Sequence, residues 1–254
     1  MRKTSIITGS ATGVGASTAI QLAEEGWNVV VNYSKSEREA EETSQVCRSK
    51  GAEVLLFKAD VSVDDKCRDM VSAAIEKWGR LDALVNNAGT TRFCPLSNLE
   101  GVSEDDFLHL YRVNVLSAFQ MSRAAAPHLK KTKGSIVNVS SISALNGSGS
   151  SIAYTSSKGA LVTLTLSLAH ALAPDVRVNC ICPGFIQGRW TRNFLKENYD
   201  RVNANFAQAS SLQVTATPED IADAIAYYVT RAKINTGEIR TIDGGFSHNV
   251  AKLG

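Results

Sequence analysis

Ser5-Ile6-Ile7-Thr8-Gly9-Ser10-Ala11-Thr12-Gly13-Val14-Gly15, near the start of a 254-residue chain, sets a short apolar run directly against a glycine-rich turn. Residues 16–25 then carry helical periodicity, so the stretch reads as a first strand, a tight turn and a first helix. Glycine lets a backbone turn sharply and lets another group approach it closely. A helix start presents free N–H groups and the positive end of a dipole, which suits a pyrophosphate. Strand, glycine turn and helix in that order are the context that a dinucleotide fingerprint requires. Gly9, Thr12, Gly13, Val14 and Gly15 are the candidate cradle. Taken by themselves, the glycines also fit an ordinary strand-to-helix turn.

Strand-like segments at 5–8, 28–32, 53–57, 83–86, 135–139, 177–182 and 239–242 alternate with helix-like ones along the chain. This alternation predicts an α/β fold, a parallel sheet with helices on both faces. Helix starts carry the expected signals: Ser62 before Asp65, Ser103 before Asp106, and the run Thr217-Pro218-Glu219-Asp220. No repeat, low-complexity tract or linker interrupts the pattern, so residues 1–254 read as one domain. Two helical segments, 106–126 and 160–172, are apolar all round. One face covers the sheet and the rest calls for a partner, which points to self-association; a buried monomer core is the alternative.

The chemistry centres on Ser141, Tyr154 and Lys158. Residues four apart on a helix share a face, so Tyr154 and Lys158 point the same way, one turn from each other. A phenol titrates near ~10, and an ammonium beside it favours the phenolate and brings it toward proton-transfer range. Ser141 can donate a second hydrogen bond to a carbonyl oxygen held between them. Such a group passes a proton to or from an oxygen whose carbon gains or loses a hydride. A Tyr-x-x-x-Lys spacing alone usually decorates a helix surface; the order of the other pieces lifts it.

Together these pieces resemble the short-chain dehydrogenase/reductase family over nearly the whole chain. The glycine turn has its Thr-Gly-x-x-x-Gly-x-Gly form, and Asn86-Asn87-Ala88-Gly89 its motif after the fourth strand. Asp60-Val61 matches its adenine-contacting position, Asn114 its helix asparagine and Pro183-Gly184 the turn beside the nicotinamide. The resemblance implies one Rossmann-type doubly wound domain with seven parallel strands in the order 3-2-1-4-5-6-7. It implies Tyr154 as proton donor in carbonyl reduction, with Lys158 lowering its pKa and holding the nicotinamide ribose. Ser141 would orient the carbonyl, and Asn114 would position a water in a relay to Lys158. Asn87, Ala88, Gly89 and the backbone of Ile186 join the cofactor set. Residues 185–213 are the substrate-loop segment.

The choice of cofactor rests on the end of the second strand, Asn32-Tyr33-Ser34-Lys35-Ser36. Sites for NAD(H) generally carry an acid about 20 residues beyond the glycines. Here none precedes Glu37, and Ser34 and Lys35 can hold a 2′-phosphate, so NADP(H) is favoured over NAD(H). Two departures stand against the family pattern: Thr12 where many NADP enzymes carry Arg or Lys, and Gly188 where a cofactor-contacting threonine is common. Thr191, in a shifted loop, is the candidate replacement.

Composition narrows the rest. A net charge of +2 lacks the basic footprint of nucleic-acid binding. No apolar run has signal-peptide or membrane-span length, so a cytoplasmic protein is expected. Cys47, Cys67, Cys94, Cys180 and Cys182 read as reduced thiols, and no Cys or His pair offers metal-ligand spacing. The stretch Asn87-Ala88-Gly89-Thr90-Thr91-Arg92 looks like that of 3-oxoacyl-(acyl-carrier-protein) reductases. The expected substrate is a carbonyl or secondary alcohol, a 3-oxoacyl thioester being favoured over small-ketone, sugar or steroid substrates. Lys130, Lys131 and Lys133, with Arg92, are candidates to attract an acidic acyl carrier protein. Their bland explanation is a solvated helix end. A homodimer or homotetramer is expected. Two other classes fit less well: a non-catalytic NADP-binding regulator, which would usually lack the tyrosine or lysine, and a sugar-nucleotide epimerase relative, which needs a larger C-terminal region.

Overall fold

The computed structural model describes residues 1–248. Seven strands form one sheet: β1 (Thr4–Ile7), β2 (Asn28–Tyr33), β3 (Val54–Lys58), β4 (Ala83–Asn86), β5 (Ser135–Val139), β6 (Arg177–Pro183) and β7 (Ile239–Ile242). All neighbours pair in parallel, in the order β3-β2-β1-β4-β5-β6-β7. The predicted order and fold class hold. Ile7 pairs with Val31 on one side and Val85 on the other. β1, β2, β4 and β5 are buried along their whole length, as continuous apolar runs packed on both faces must be.

The described residues form ten α-helices: α1 (Gly13–Glu24), α2 (Glu37–Ser49), α3 (Asp64–Trp78), α4 (Glu104–Tyr111), α5 (Ser117–Thr132), α6 (Ser143–Asn146), α7 (Ile152–Leu172), α8 (Arg189–Leu195), α9 (Tyr199–Ala209) and α10 (Pro218–Thr230). On one face Leu22 of α1, Cys47 of α2 and Ile225 of α10 share a core with Val31 and Val85. On the other, Met70 of α3, Met121 of α5 and Leu168 of α7 pack with Ile6, Leu84 and Ile136. Strand order reverses between β1 and β4, so a crevice opens beyond their C-terminal ends.

The sequence signals fare unevenly at helix ends. Ser103–Asp106 and Thr217–Asp220 are full capping boxes, side chain to backbone in both directions. Ser62 is not a cap: its N–H donates to Asp60 Oδ1, and Val63 stands at the helix start. The helix expected over 106–126 is three pieces: α4, a π turn over Arg112–Leu116, and α5. Pro127 does not end it. The ring removes one N–H, yet α5 runs on to Thr132, closed by Lys133 in the left-handed conformation at φ 50.

Candidate active site

The glycine turn is built as the sequence suggests. Gly9 has φ +63, where a side chain is strained, and a Cβ there would lie 3.0 Å from the Ala88 Cα. Gly15 is excluded from any larger residue by space: its Cβ would meet Asn87 Nδ2 at 2.5 Å and Gly9 O at 2.6 Å. Thr8 Oγ1 accepts from the N–H groups of Asn87 and Ala88, both at 3.0 Å, so the turn and the loop after β4 are one unit. Asn32, buried at the end of β2, accepts from Gly9 N at 2.9 Å and donates to Ala59 O at 3.1 Å. The N–H groups of Gly13, Val14 and Gly15 have no hydrogen-bond partner among the described residues. Free donors at a helix start, beside a cradle that one Cβ would fill, fit the pyrophosphate of a dinucleotide.

Farther out along the crevice, Tyr33 is buried, while Ser34 and Lys35 lie exposed between β2 and α2. Burial, with help from Glu37, pushes the Tyr33 phenol up. Lys35 has no ion pair among the described residues. Asp60 is exposed beside buried Val61, its carboxylate closing a turn onto Ser62 N.

Tyr154 and Lys158 enter from the first turns of α7, which Ser151 caps by accepting from Tyr154 N at 3.1 Å. Lys158 is only 5% exposed. Its ammonium donates to Val139 O at 2.9 Å and lies 5.9 Å from the centre of the Tyr154 ring. Ser140 anchors the same residue by donating to Lys158 O at 2.9 Å. Asn114 sits in the π turn, 1% exposed, rather than on a helix surface. It donates to Thr90 O at 3.0 Å and Ser157 Oγ at 2.9 Å, and accepts from Thr90 N at 2.8 Å. Gly89 closes the group: a Cβ there would lie 3.3 Å from Asn114 Oδ1 and 3.4 Å from Lys158 Nζ. Ser141 follows β5, its hydroxyl 3.0 Å from that of Ser143. The structure thus brings Asn114, Ser141, Tyr154 and Lys158 to the C-terminal side of β4 and β5, beside the glycine turn.

Burial dominates the electrostatics of the pair. The phenol is not lowered: burial pushes Tyr154 up to about 12, with the Ser141 hydroxyl pulling the other way. Burial also brings Lys158 down to about 8, with the neighbouring Cys180 and Cys182 side chains pulling the other way. Desolvation is the largest cause in both groups. At neutral pH the site holds a neutral phenol beside an ammonium. Cys180 and Cys182 face the same side of β6, as the alternation predicts, with sulfurs 3.9 Å apart. All five cysteines are free and buried, and the described residues hold no metal-binding cluster of three or more His, Cys, Asp or Glu.

Beyond β6, Pro183 O accepts from Ile142 N at 3.0 Å and Gly184 N donates to Ile242 O at 2.9 Å. Ile186 bridges Ala216, and its own N–H has no partner among the described residues. The Thr191 hydroxyl turns back onto its own loop, with Ile186 O at 2.9 Å and Gly188 O at 3.0 Å as acceptors. Gly188 has φ +143 and starts α8. Sequence reasoning passed over Asn32, Ser140 and Ser157. Asn32 and Ser140 carry one signal, a small polar residue directly after an apolar strand run; Ser157 lies in the polar run Thr155-Ser156-Ser157 and carries none.

Lys130, Lys131 and Lys133 are placed differently from the expectation. They end α5, and the chain then enters β5 at Ser135, whereas Ser141 lies past Val139 at the other end of that strand. Five residues at ~3.3 Å each put the length of the strand, about 17 Å, between them. Arg92, which pairs with Asp106 at 3.5 Å, is on the loop after β4, on the side of Tyr154.

Comparison with known proteins shows the family. A family model described as enoyl-(acyl carrier protein) reductase matches residues 9–247. A provisionally assigned ketoacyl reductase of the granaticin polyketide synthase from Streptomyces violaceoruber is 39% identical over 241 residues, 94% of each chain. The 3-oxoacyl-(acyl-carrier-protein) reductase of Staphylococcus aureus is 33% identical over 248 residues, 96% of this chain and 98% of that one. A crystal structure of a provisionally assigned short-chain dehydrogenase/reductase from Burkholderia xenovorans superposes with TM-score 0.91 at 38% identity, covering 97% of this chain and 98% of the other.

Proposed function

The chain belongs to the short-chain dehydrogenase/reductase family, near the 3-oxoacyl-(acyl-carrier-protein) reductases, and we propose that it reduces a ketone, a 3-oxoacyl thioester by preference, with NADPH. One observation carries this reading: the Lys158 ammonium and the Asn114 amide oxygen converge on a bare Gly89 after β4, and the Tyr154 ring lies 5.9 Å from that same ammonium. When bound, NADPH supplies the hydride. Gly9, Gly13, Val14 and Gly15 would hold its pyrophosphate, Asp60 and Val61 its adenine, and Asn87, Ala88, Gly89, Pro183, Gly184 and Ile186 its nicotinamide end. Thr12 lines the glycine turn, and Tyr33, Ser34 and Lys35 would hold the 2′-phosphate.

Tyr154 gives its proton to the carbonyl oxygen. The phenol is fully protonated at neutral pH, and the phenolate left behind is stabilised by the ammonium one turn away. Ser141 turns its hydroxyl from Ser143 to the carbonyl and fixes its angle. Asn114, with both amide hydrogens engaged, holds the loop from Gly89 to Thr90 against α7 and retains one acceptor lone pair for a water beside Lys158. Oxidation of NADPH against acetoacetyl thioesters, diketones, quinones and sugars, with NADH in parallel, tests the reading; turnover confined to sugars would replace it with another dehydrogenase of the family.

Two partners follow. Phe107, Leu108, Tyr111, Leu116 and Phe119 are exposed along α4, the π turn and α5, and Leu166 on α7 joins them. Beside them Phe119, Arg123, Pro127, Lys130, Leu168 and Leu172 line a shallow groove of about 440 Å³. An apolar strip of that extent supports a homodimer or homotetramer, which sedimentation measures. An acyl carrier protein is the second partner, suggested by the name of the Staphylococcus relative, with Arg92 at the correct end of the sheet to meet it. No helix among the described residues is long and apolar enough to cross a membrane, and we read the protein as cytoplasmic and without nucleic-acid partners.

A further inference from the structure

The segment 185–213 leaves the sheet after β6, and its first helix, α8, buries none of its residues. Two contacts pin that helix at opposite ends. At its start, Arg189 pairs with Glu39 in the first turn of α2, 150 positions away in sequence. Near its end, Phe194 packs on Phe93 of the loop after β4, ring centres 6.0 Å apart, and Trp190 lies 5.6 Å from Phe194.

Topology fixes what this helix spans. α2 follows β2, the segment follows β6, and the sheet order puts four strand spacings between them, roughly 19 Å at ~4.8 Å each. The reach from Pro183 to Glu39 therefore passes above the C-terminal ends of β5, β4 and β1, where Ser141, Asn87 and the glycine turn stand. Gly188, at φ +143, gives the chain its change of direction just before Arg189. Glu39 is the more enclosed partner, its side chain 19% exposed against 53% for Arg189. The guanidinium holds the Glu39 carboxyl below the usual carboxylate range. Among the described residues this is the one ion pair that joins the segment to the rest of the protein.

We propose that Arg189 and Glu39 form a clasp that holds α8 over the cofactor crevice, so that the dinucleotide leaves only when the pair opens. The clasp rests on the reading of the crevice as a dinucleotide site. Both are positioning residues: they act on cofactor retention through α8 and leave the proton transfer at Tyr154 alone. The strength of the pair is that of a part-exposed salt bridge, modest and sensitive to salt.

The test is displacement of NADPH, and separately of NADH, from the full-length protein in a stopped-flow instrument, followed by nicotinamide fluorescence. Arg189→Gln and Glu39→Gln are each expected to speed release roughly two- to fivefold at low salt, with the acceleration shrinking at high salt. Single-turnover hydride transfer is expected to stay within about twofold of the unmodified protein. The exchanged pair, Arg189→Glu with Glu39→Arg, is expected to restore slow release where either reversal alone does not. Unchanged release in both single variants, or an exchanged pair as fast as the singles, overturns the clasp. Failure of the unmodified protein to bind either nucleotide overturns the dinucleotide reading as well, and is seen before any substitution is made.

Discussion

The Lys158 ammonium lies 5.9 Å from the centre of the Tyr154 ring, one helical turn away, and spends one of its hydrogens on the Val139 carbonyl at 2.9 Å. The pair is held by a strand end rather than by a carboxylate. Each group is therefore tuned by burial, and in opposite directions.

A pH profile follows from those directions. Tyr154, pushed up to about 12, stays a proton donor across the accessible range. Lys158, brought down to about 8, loses its charge as pH rises through that value, and with it goes the stabilisation of the phenolate. In the reductive direction kcat/KM is expected to be level below pH 7.5 or so and to fall roughly tenfold per unit above about 8. A profile flat to pH 9.5 contradicts the assignment of Lys158.

Stability is expected to move against function at Lys158. Its folded pKa lies below its value in the unfolded chain, so between about 8 and 10.5 the unfolded chain binds more protons and stability rises with pH. Below that window the buried ammonium opposes folding by roughly 3 kcal/mol. Lys158→Met is expected to abolish turnover yet match or exceed the melting temperature of the unmodified protein at pH 7. The bond to Val139 offsets about 1 kcal/mol of the gain. Melting curves from pH 7 to 10.5 check the sign: the advantage should shrink as pH rises, and an advantage that grows contradicts it.

Lys35→Ala is expected to weaken NADPH and spare NADH. The exposed ammonium is in no ion pair among the described residues, so its loss would remove one charge-assisted bond to the 2′-phosphate, about 1.5–3 kcal/mol or roughly 10- to 150-fold in affinity. Titration of nucleotide fluorescence measures both constants. An unmodified protein that prefers NADH in kcat/KM reverses the choice of cofactor.

Arg92 and the three lysines separate two docking faces. Arg92→Glu is expected to lower kcat/KM for a carrier-bound thioester more than for a free one, and less so at high salt. Changing Lys130, Lys131 and Lys133 to Glu is expected to leave the ratio of the two substrates near that of the unmodified protein, because these residues close the far end of β5. The opposite ranking places the carrier at the lysines.

Much of this was legible because it depends on local pattern. Alternating apolar runs and capped helices define parallel strands in order, and the Ser103 and Thr217 boxes mark true helix starts. Tyr154 and Lys158 declare themselves by spacing, the glycine turn by its strand and helix. What escaped depends on depth or on distant contact. The π turn that buries Asn114 leaves no mark in composition. The direction of the Tyr154 shift is set by desolvation, which spacing does not reveal. Ser62 looks like a cap but serves the turn of Asp60. Arg189 and Glu39 meet across 150 positions, and no local pattern couples them.

The most direct measurement is Tyr154→Phe, assayed for NADPH-dependent reduction of an acetoacetyl thioester beside NADPH binding. The ring, its packing and Lys158 remain, and only the acid is removed. The expected result is loss of turnover by at least ~10²-fold, with the NADPH dissociation constant within about threefold of the unmodified protein. Turnover within tenfold of the unmodified protein, at undiminished NADPH affinity, would contradict Tyr154 as the proton donor and the mechanism built on it.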